Sequence, residues 1–417
     1  MARTIAEKIL STKAQKEVSA GEIVEAEVDY VMVNDITAPA AFDEFEDLCT
    51  PLLEKKVVLI PDHYVPNKDV ASAIQARKMR SFAKRHGIRN YFEIGSGGVC
   101  HQVMVEAGFV APGRLIVGAD SHTCSYGALG AFATGIGSTE AATVFARGLL
   151  WFKVPESMKF VVDGKLGKHV MGKDVILTII GDIGVEGALY RSMEVQGSAV
   201  SSLSVSDRIT ISNMGIEAGA KACIVPPDEK VDEYLKGRVR GPYSKVVADP
   251  DASYVDTREY PAEDLVPVVA KPFLPSNVAP ASEVGVEIDQ AYLGSCTNGR
   301  IEDMRVAAAI LKGRKVKEGV RLLVVPASKQ VFDQASAEGL FKVFSDAGAF
   351  ISGPTCGACL GGYMGVLAPG ERCVSTTNRN FVGRMGHKDS EVYLASPAVV
   401  AASAVAGRIV DPSEVVG

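Results

Sequence analysis

Eight cysteines lie in the chain, at positions 49, 100, 124, 223, 296, 356, 359 and 373. Cys356 and Cys359 form a Cys-x-x-Cys pair in the Gly-rich segment GPTCGACLGG. Such a pair serves as a redox disulfide, as half of a zinc site, or as part of an iron–sulfur site, and spacing alone leaves all three open. Cys296, in GSCTNG, immediately precedes a helical pattern in which Ile301, Met304, Ala308 and Leu311 share a face and Gly313 marks the stop. A thiolate at a helix N-terminus is favoured by the exposed N–H groups and the helix dipole. A closed zinc site asks for four ligands, often as two pairs, whereas here there is one pair and one single thiol. Three thiolates would suit a four-iron cluster with one iron left open to substrate. Cys373, inside the strand-like RCVS, reads as a core thiol or a fourth ligand, and Cys49, Cys100, Cys124 and Cys223 read as core cysteines.

A second set of residues has the chemistry of proton transfer. Asp62-His63, His101 in CHQ and Asp120-Ser121-His122 place three of the six histidines near two aspartates. Histidine titrates near neutrality, and a carboxylate partner fixes its tautomer. Glu217, in SNMGIEAGAK, is a further partner for a histidine or else a solvated helix position. Asn378, Arg379 and Arg384, in NRNFVGR, suit a substrate with two or more carboxylates, because a guanidinium fork binds a carboxylate through two hydrogen bonds.

Most of these residues stand just after a short apolar run. VVLI (57–60) leads into PDH, RLIVGA (114–119) into DSHT, and AYLG (291–294) into SCTNG; AFISG (349–353) leads into PTCGAC, and RCVS (372–375) into TTNRNF. Short apolar strands alternating with helical stretches predict α/β layers. Ligands of open α/β sheets bind at the carboxyl ends of the strands, so the five strand ends predict one convergent site.

Composition narrows the classes of function. The chain has 417 residues, 47% apolar and 23% charged, with a formal net charge of −6. This is a globular composition with no basic excess, which predicts neither a nucleic-acid nor a membrane partner. MARTIAEKIL lacks the apolar core of a signal peptide, and the sparse cysteines fit a reducing compartment, so the reading is cytoplasmic. ASPAVVAASAVAG is too short and too rich in small residues to span a bilayer. GSGGVC and GIGSTE each lack the third glycine of a dinucleotide fingerprint, and no Gly-Lys-Ser/Thr occurs, so no nucleotide is predicted. Pro272, Pro275 and Pro280 mark residues 271–284 as a linker, and composition shifts again near 153. The predicted domains are therefore 1–153, 154–270 and 285–417.

Asp62-His63, GGVCHQ, ADSHT, SNMGIEAGA, GSCTNG, GPTCGAC and TTNRNFVGR occur in the order seen in the aconitase family. The chain resembles that family over essentially its whole length, most closely the large subunits of its two-subunit members. The resemblance implies three aconitase-like α/β domains around a central [4Fe-4S] cluster held by Cys296, Cys356 and Cys359. It implies a hydro-lyase that dehydrates and rehydrates a 2-hydroxy di- or tricarboxylic acid, with 2-isopropylmalate on the leucine route first and a homocitrate-type acid second. His63 with Asp62, His101 with Asp120, and His122 with Glu217 would carry protons. Ser121, Arg379 and Arg384 would bind substrate, with Asn213 and Asn378 beside the cluster. Where the family has a substrate-binding Gln in an early segment, this chain has Pro39, after Thr37. The family's fourth, swivelling domain is expected on a separate small subunit, in a heterodimer or heterotetramer, and the isolated chain is expected to be inactive. Some relatives bind RNA on losing the cluster, which is the alternative of another class; the acidic composition argues against it.

Overall fold

A computed structural model describes residues 2–416. Strands and helices alternate along the chain, and the strands assemble into three larger sheets and one ribbon. In the first sheet Val57–Leu59, Tyr30–Val33, Leu115–Gly118 and Phe132–Gly135 lie in that order, all parallel. Val57–Leu59 and Leu115–Gly118 are buried at every position. That is why their sequences read as unbroken apolar runs: parallel strands are covered on both faces. Each aliphatic side chain so buried contributes about 1.5–3 kcal/mol of transfer free energy.

The second sheet orders Asp256–Pro261, Ser157–Asp163, Ser192–Gln196 and Ala222–Ile224, again all parallel. The ribbon pairs Ile23–Glu27 with Leu149–Lys153, antiparallel. The third sheet has seven strands, in the order Val278–Pro280, Val268–Ala270, Glu391–Ala395, Arg372–Ser375, Gln290–Leu293, Arg321–Val324 and Phe350–Ile351. Its last five are mutually parallel, and the first two are antiparallel additions at one edge.

The chain forms two compact units. One holds the residues up to Ile94, Cys100–Gly164 and Ala188–Pro261, and so contains the first two sheets and the ribbon. The other holds Gly95–Val99, Lys165–Gly187 and the residues from Ala262 onward, with the seven-stranded sheet. The boundary predicted at 153 falls between sheets but inside one unit, and Lys165–Gly187 leaves the middle stretch for the other unit.

The linker predicted at 271–284 needs correction. Val278–Pro280 is the edge strand and pairs with Val268–Ala270, a turn joins them, and Ala281–Val284 is a short helix with Ala281 buried. Proline is tolerated at a sheet edge, where the strand has no partner to receive an N–H. Pro280 thus sits in the edge strand and Pro272 and Pro275 in the turn that leads to it, so the stretch belongs to the sheet and is not a connector. ASPAVVAASAVAG becomes the helix Pro397–Ala406, buried at every position from Pro397 to Ala404, and packs in one core with Ile301–Leu311. Apolar on all sides, it is a core helix. Among the described residues no helix is long and apolar enough to cross a membrane.

Candidate functional site

The residues singled out from the sequence divide between the two units. In the first unit, Asp120 is the hub of the proton-transfer set. It follows Leu115–Gly118 and caps the turn of 3-10 helix Ser121–Leu129, accepting the His122 backbone N–H on Oδ1 at 2.9 Å. The same oxygen lies 2.9 Å from His101 Nε2 and 3.6 Å from His122 Nδ1. Its other oxygen accepts from Asn34 Nδ2 at 3.2 Å and stands 3.7 Å from His63 Nε2. Burial by itself would raise the Asp120 carboxyl, but His101 and His122 outweigh it and hold the group well below the usual carboxylate range.

Each histidine has a second partner. His63 Nδ1 is 2.6 Å from Asp62 Oδ1, while Asp62 Oδ2 accepts the Cys100 backbone N–H at 2.7 Å. His101 Nδ1 is 3.0 Å from the Tyr126 hydroxyl. His122 Nε2 is 3.0 Å from Glu217 Oε1, so Glu217 is a histidine partner and not a solvated helix position. Burial alone would lower His63, but Asp62, Asp120 and Asp35 together raise it to about 10. His63 is therefore an imidazolium at neutral pH, with Asp62 fixing its ring.

Asp35, which sequence reading missed, aims this loop. Its carboxylate accepts the backbone N–H groups of Asp62 and His63 at 2.9 Å each and of Tyr64 at 2.8 Å. Asn34 and Asp35 follow the strand Tyr30–Val33, so the strand-end rule applied to YVMVND would have found both. Tyr126, fully buried within the 3-10 turn, carried no such signal. Ser121 is half-buried beside Asp120, and Thr37 hydrogen-bonds Asn34 Oδ1 at 3.1 Å, with Pro39 in the first turn of Ala38–Asp47.

The second unit holds the three thiols, all buried. Cys296 lies in the short helix Ser295–Asn298 after Gln290–Leu293. Ser295 there takes φ of +73°, a left-handed conformation that costs a non-glycine residue about 1–3 kcal/mol. Cys356 precedes the 3-10 turn Gly357–Leu360, which contains Cys359. Gly357 has φ of +64°, and a Cβ there would collide with the Tyr292 hydroxyl, so only glycine fits. That hydroxyl donates to the Cys356 carbonyl at 3.1 Å.

One amide joins two of the thiols. Asn378 Nδ2 lies 3.4 Å from Cys296 Sγ and 3.0 Å from Thr297 Oγ1, and Asn378 Oδ1 lies 3.7 Å from Cys359 Sγ. Arg384 Nη2 is 3.9 Å from Cys359 Sγ, and Arg379 is half-buried. Two further cations are fully or almost fully enclosed. Arg300 donates to the backbone carbonyls of Cys296, at 2.7 Å, and Thr297. Lys173 donates to those of Thr376, at 2.9 Å, and Thr377, at 2.5 Å.

The donor set suits an iron–sulfur cluster. Cys296 and Cys359 share the Asn378 amide, Cys356 stands three residues from Cys359 in the same strand-end loop, and thiolates are the ligands such clusters take. Among the described residues, the sets whose ligating atoms lie within 4.8 Å of one another are Cys100–His101–Asp120 and Asp35–Asp62–His63. Both belong to the hydrogen-bonded proton network. Cys373 is buried in its strand with its thiol pushed up to about 12 by burial, which is the behaviour of a protonated core cysteine. Cys100, Cys124 and Cys223 are buried too, but Cys49 is exposed after the helix Ala38–Asp47, against the core reading. Asn213 is fully buried and spends its amide on Ser125 Oγ at 2.8 Å in the first unit.

The fold and these residues define an α/β protein that combines three buried thiols with a hydrogen-bonded histidine–carboxylate network. The Aconitase family (aconitate hydratase) matches residues 7–407, and the chain belongs to that family. It is 54% identical to a protein of Thermodesulfovibrio yellowstonii named 3-isopropylmalate dehydratase large subunit, covering 99% of each chain. It is likewise 54% identical to a protein of that name from Heliobacterium modesticaldum, over the full length of both. The same identity and coverage hold for 3-isopropylmalate dehydratase large subunit 1 of Pyrococcus abyssi. Among solved structures, aconitase X of Thermococcus kodakaraensis in its holo form matches with a TM-score of 0.51 and 12% identity. That match covers 89% of this chain and 88% of that one, and shows a shared fold.

Proposed function

We propose that the chain acts as the large subunit of a hydro-lyase of the 3-isopropylmalate dehydratase type, cytoplasmic and on the leucine route. In this reading it interconverts 2- and 3-isopropylmalate by dehydration and rehydration together with a separate small subunit. The observation that carries the proposal is full-length identity of 54% to relatives of that name. Cys296, Cys356 and Cys359 would hold a [4Fe-4S] cluster through three thiolates. Such a cluster supplies an iron that acts as a Lewis acid on the substrate's hydroxyl and neighbouring carboxylate.

The remaining chemistry belongs to side chains. His63, protonated at neutral pH, donates a proton toward a departing hydroxyl, and Asp62 stabilises the charge and holds the ring. Asp120 keeps His101 and His122 in fixed orientations, and Glu217 takes the far nitrogen of His122. Arg379 and Arg384 bind substrate carboxylate, with Ser121 as a further polar contact. Asn378 orients Cys296 and Cys359.

The test is anaerobic copurification with the small partner, reconstitution with iron and sulfide, and hydration of isopropylmaleate against cis-homoaconitate. Preference for isopropylmaleate is expected. Preference for cis-homoaconitate would move the substrate to the homocitrate type, and turnover of neither would overturn the reading.

A further inference from the structure

Lys173 is fully buried in the first turn of the helix Gly172–Ile183. Its ammonium donates to the carbonyls of Thr376 and Thr377, the two residues immediately before Asn378. Asn378 in turn touches Cys296 and Cys359. Two carbonyls need donors, but they do not need a charge, and enclosing an ammonium without a counter-ion is expensive. Among the described residues Lys173 has no carboxylate at ion-pair distance. The adjacent Asp174 spends its oxygens on the backbone N–H groups of Met171, at 2.8 Å, and Val268, at 3.0 Å.

We propose that Lys173 is a positioning residue of the thiol site: it supplies the buried counter-charge to the ligated cysteines and ties down the backbone that presents Asn378 between them. This rests on the reading of the three thiols as cluster ligands. Burial pushes the Lys173 ammonium down to about 7, while negative charge on Cys359 and Cys296 pulls the other way. An ammonium enclosed beside the Asn378 backbone, with no carboxylate of the described residues at ion-pair distance, is the charge that thiolate ligands there would need. Nothing about Lys173 in the sequence MGKDV points to this, because the residue opens a helix rather than ending a strand.

Two substitutions separate the parts of the role. Lys173→Met keeps the bulk without donor or charge, and Lys173→Gln keeps a donor without charge. The unsubstituted chain and both variants are reconstituted with iron and sulfide and compared by iron and acid-labile sulfide per chain. The rate of iron loss to a chelator and the cluster's midpoint potential are measured alongside, with circular dichroism and melting as controls of fold. Both variants are expected to lose iron at least tenfold faster. The potential of Lys173→Gln is expected to fall by the equivalent of a tenfold weaker one-electron affinity, about 59 mV. Lys173→Arg, which keeps charge and donors, restores the potential if it folds. If the unsubstituted chain binds no iron and sulfide, the cluster reading itself fails. If it binds them and folded Lys173→Gln matches its potential and iron-loss rate, the role of Lys173 is overturned. Should Lys173→Met not fold, Lys173→Gln alone decides.

Discussion

His101 Nε2 lies 2.9 Å from Asp120 Oδ1, and that single carboxylate also stands within 4 Å of a ring nitrogen of His63 and of His122. One aspartate at a strand end therefore sets the geometry of three titratable rings. A largely enclosed carboxylate shared in this way stays ionised only while its partners keep their hydrogen bonds. Asp120 is accordingly the position at which the first unit's chemistry is most exposed to a single substitution.

Asp120→Asn keeps the shape and removes the charge. Turnover of the reconstituted two-subunit enzyme is expected to fall about 10²- to 10⁴-fold, the range of general acid–base catalysis. His122→Gln and Glu217→Gln are expected to fall less, by about tenfold or more, since each removes one link. An Asp120→Asn enzyme with unchanged kcat would remove Asp120 from the relay.

His63 gives a prediction with a defined pH window. Its folded pKa of about 10 exceeds the ordinary value of 6.5. A raised histidine adds stability that is fully present below pH 6.5 and is lost as pH rises toward 10. Against His63→Gln, the native chain should therefore lose its relative stability between pH 6.5 and 10 in denaturant titrations. The ring resonances in an NMR titration should remain those of imidazolium at pH 8.

The cysteines separate cleanly. Cys296→Ser, Cys356→Ser and Cys359→Ser should each abolish retention of iron and sulfide after reconstitution. Cys49→Ser, at an exposed position, and Cys373→Ala, in a strand, should leave it intact. Loss of the cluster in Cys373→Ala with an unchanged melting profile would make that thiol a fourth ligand.

Asp35 is a structural test of the relay. Asp35→Ala leaves three backbone N–H groups without their acceptor, so a destabilisation of about 3 kcal/mol is expected. Asp35→Asn, which keeps one acceptor oxygen, should cost less. Equal stability of Asp35→Ala and the native chain in urea titrations would show that water replaces the carboxylate.

Much of this was legible because strand ends announce themselves. VVLI, RLIVGA, AYLG and RCVS each became a strand within a residue or so of its expected bounds, with Asp62, Asp120, Cys296 and Asn378 just beyond. AFISG kept only two residues of strand, at the sheet edge. The linker misread at 271–284 shows the limit of composition. Proline at a sheet edge and proline in a connector look alike until the partner strand is known.

By itself the sequence determined which chemistries were present: thiols after two strands, histidines beside carboxylates, arginines after a third, and apolar runs that must be buried. Those follow from residue type and local period, which are short-range properties. Tertiary structure alone decided the pairings. It brought His122 to Glu217 across 95 positions and the Asn378 amide to Cys296 across 82. It also buried Lys173 beneath the Thr376–Thr377 backbone more than 200 positions away. Which distant groups meet is set by strand order and by the packing of one whole core, and no local pattern encodes it.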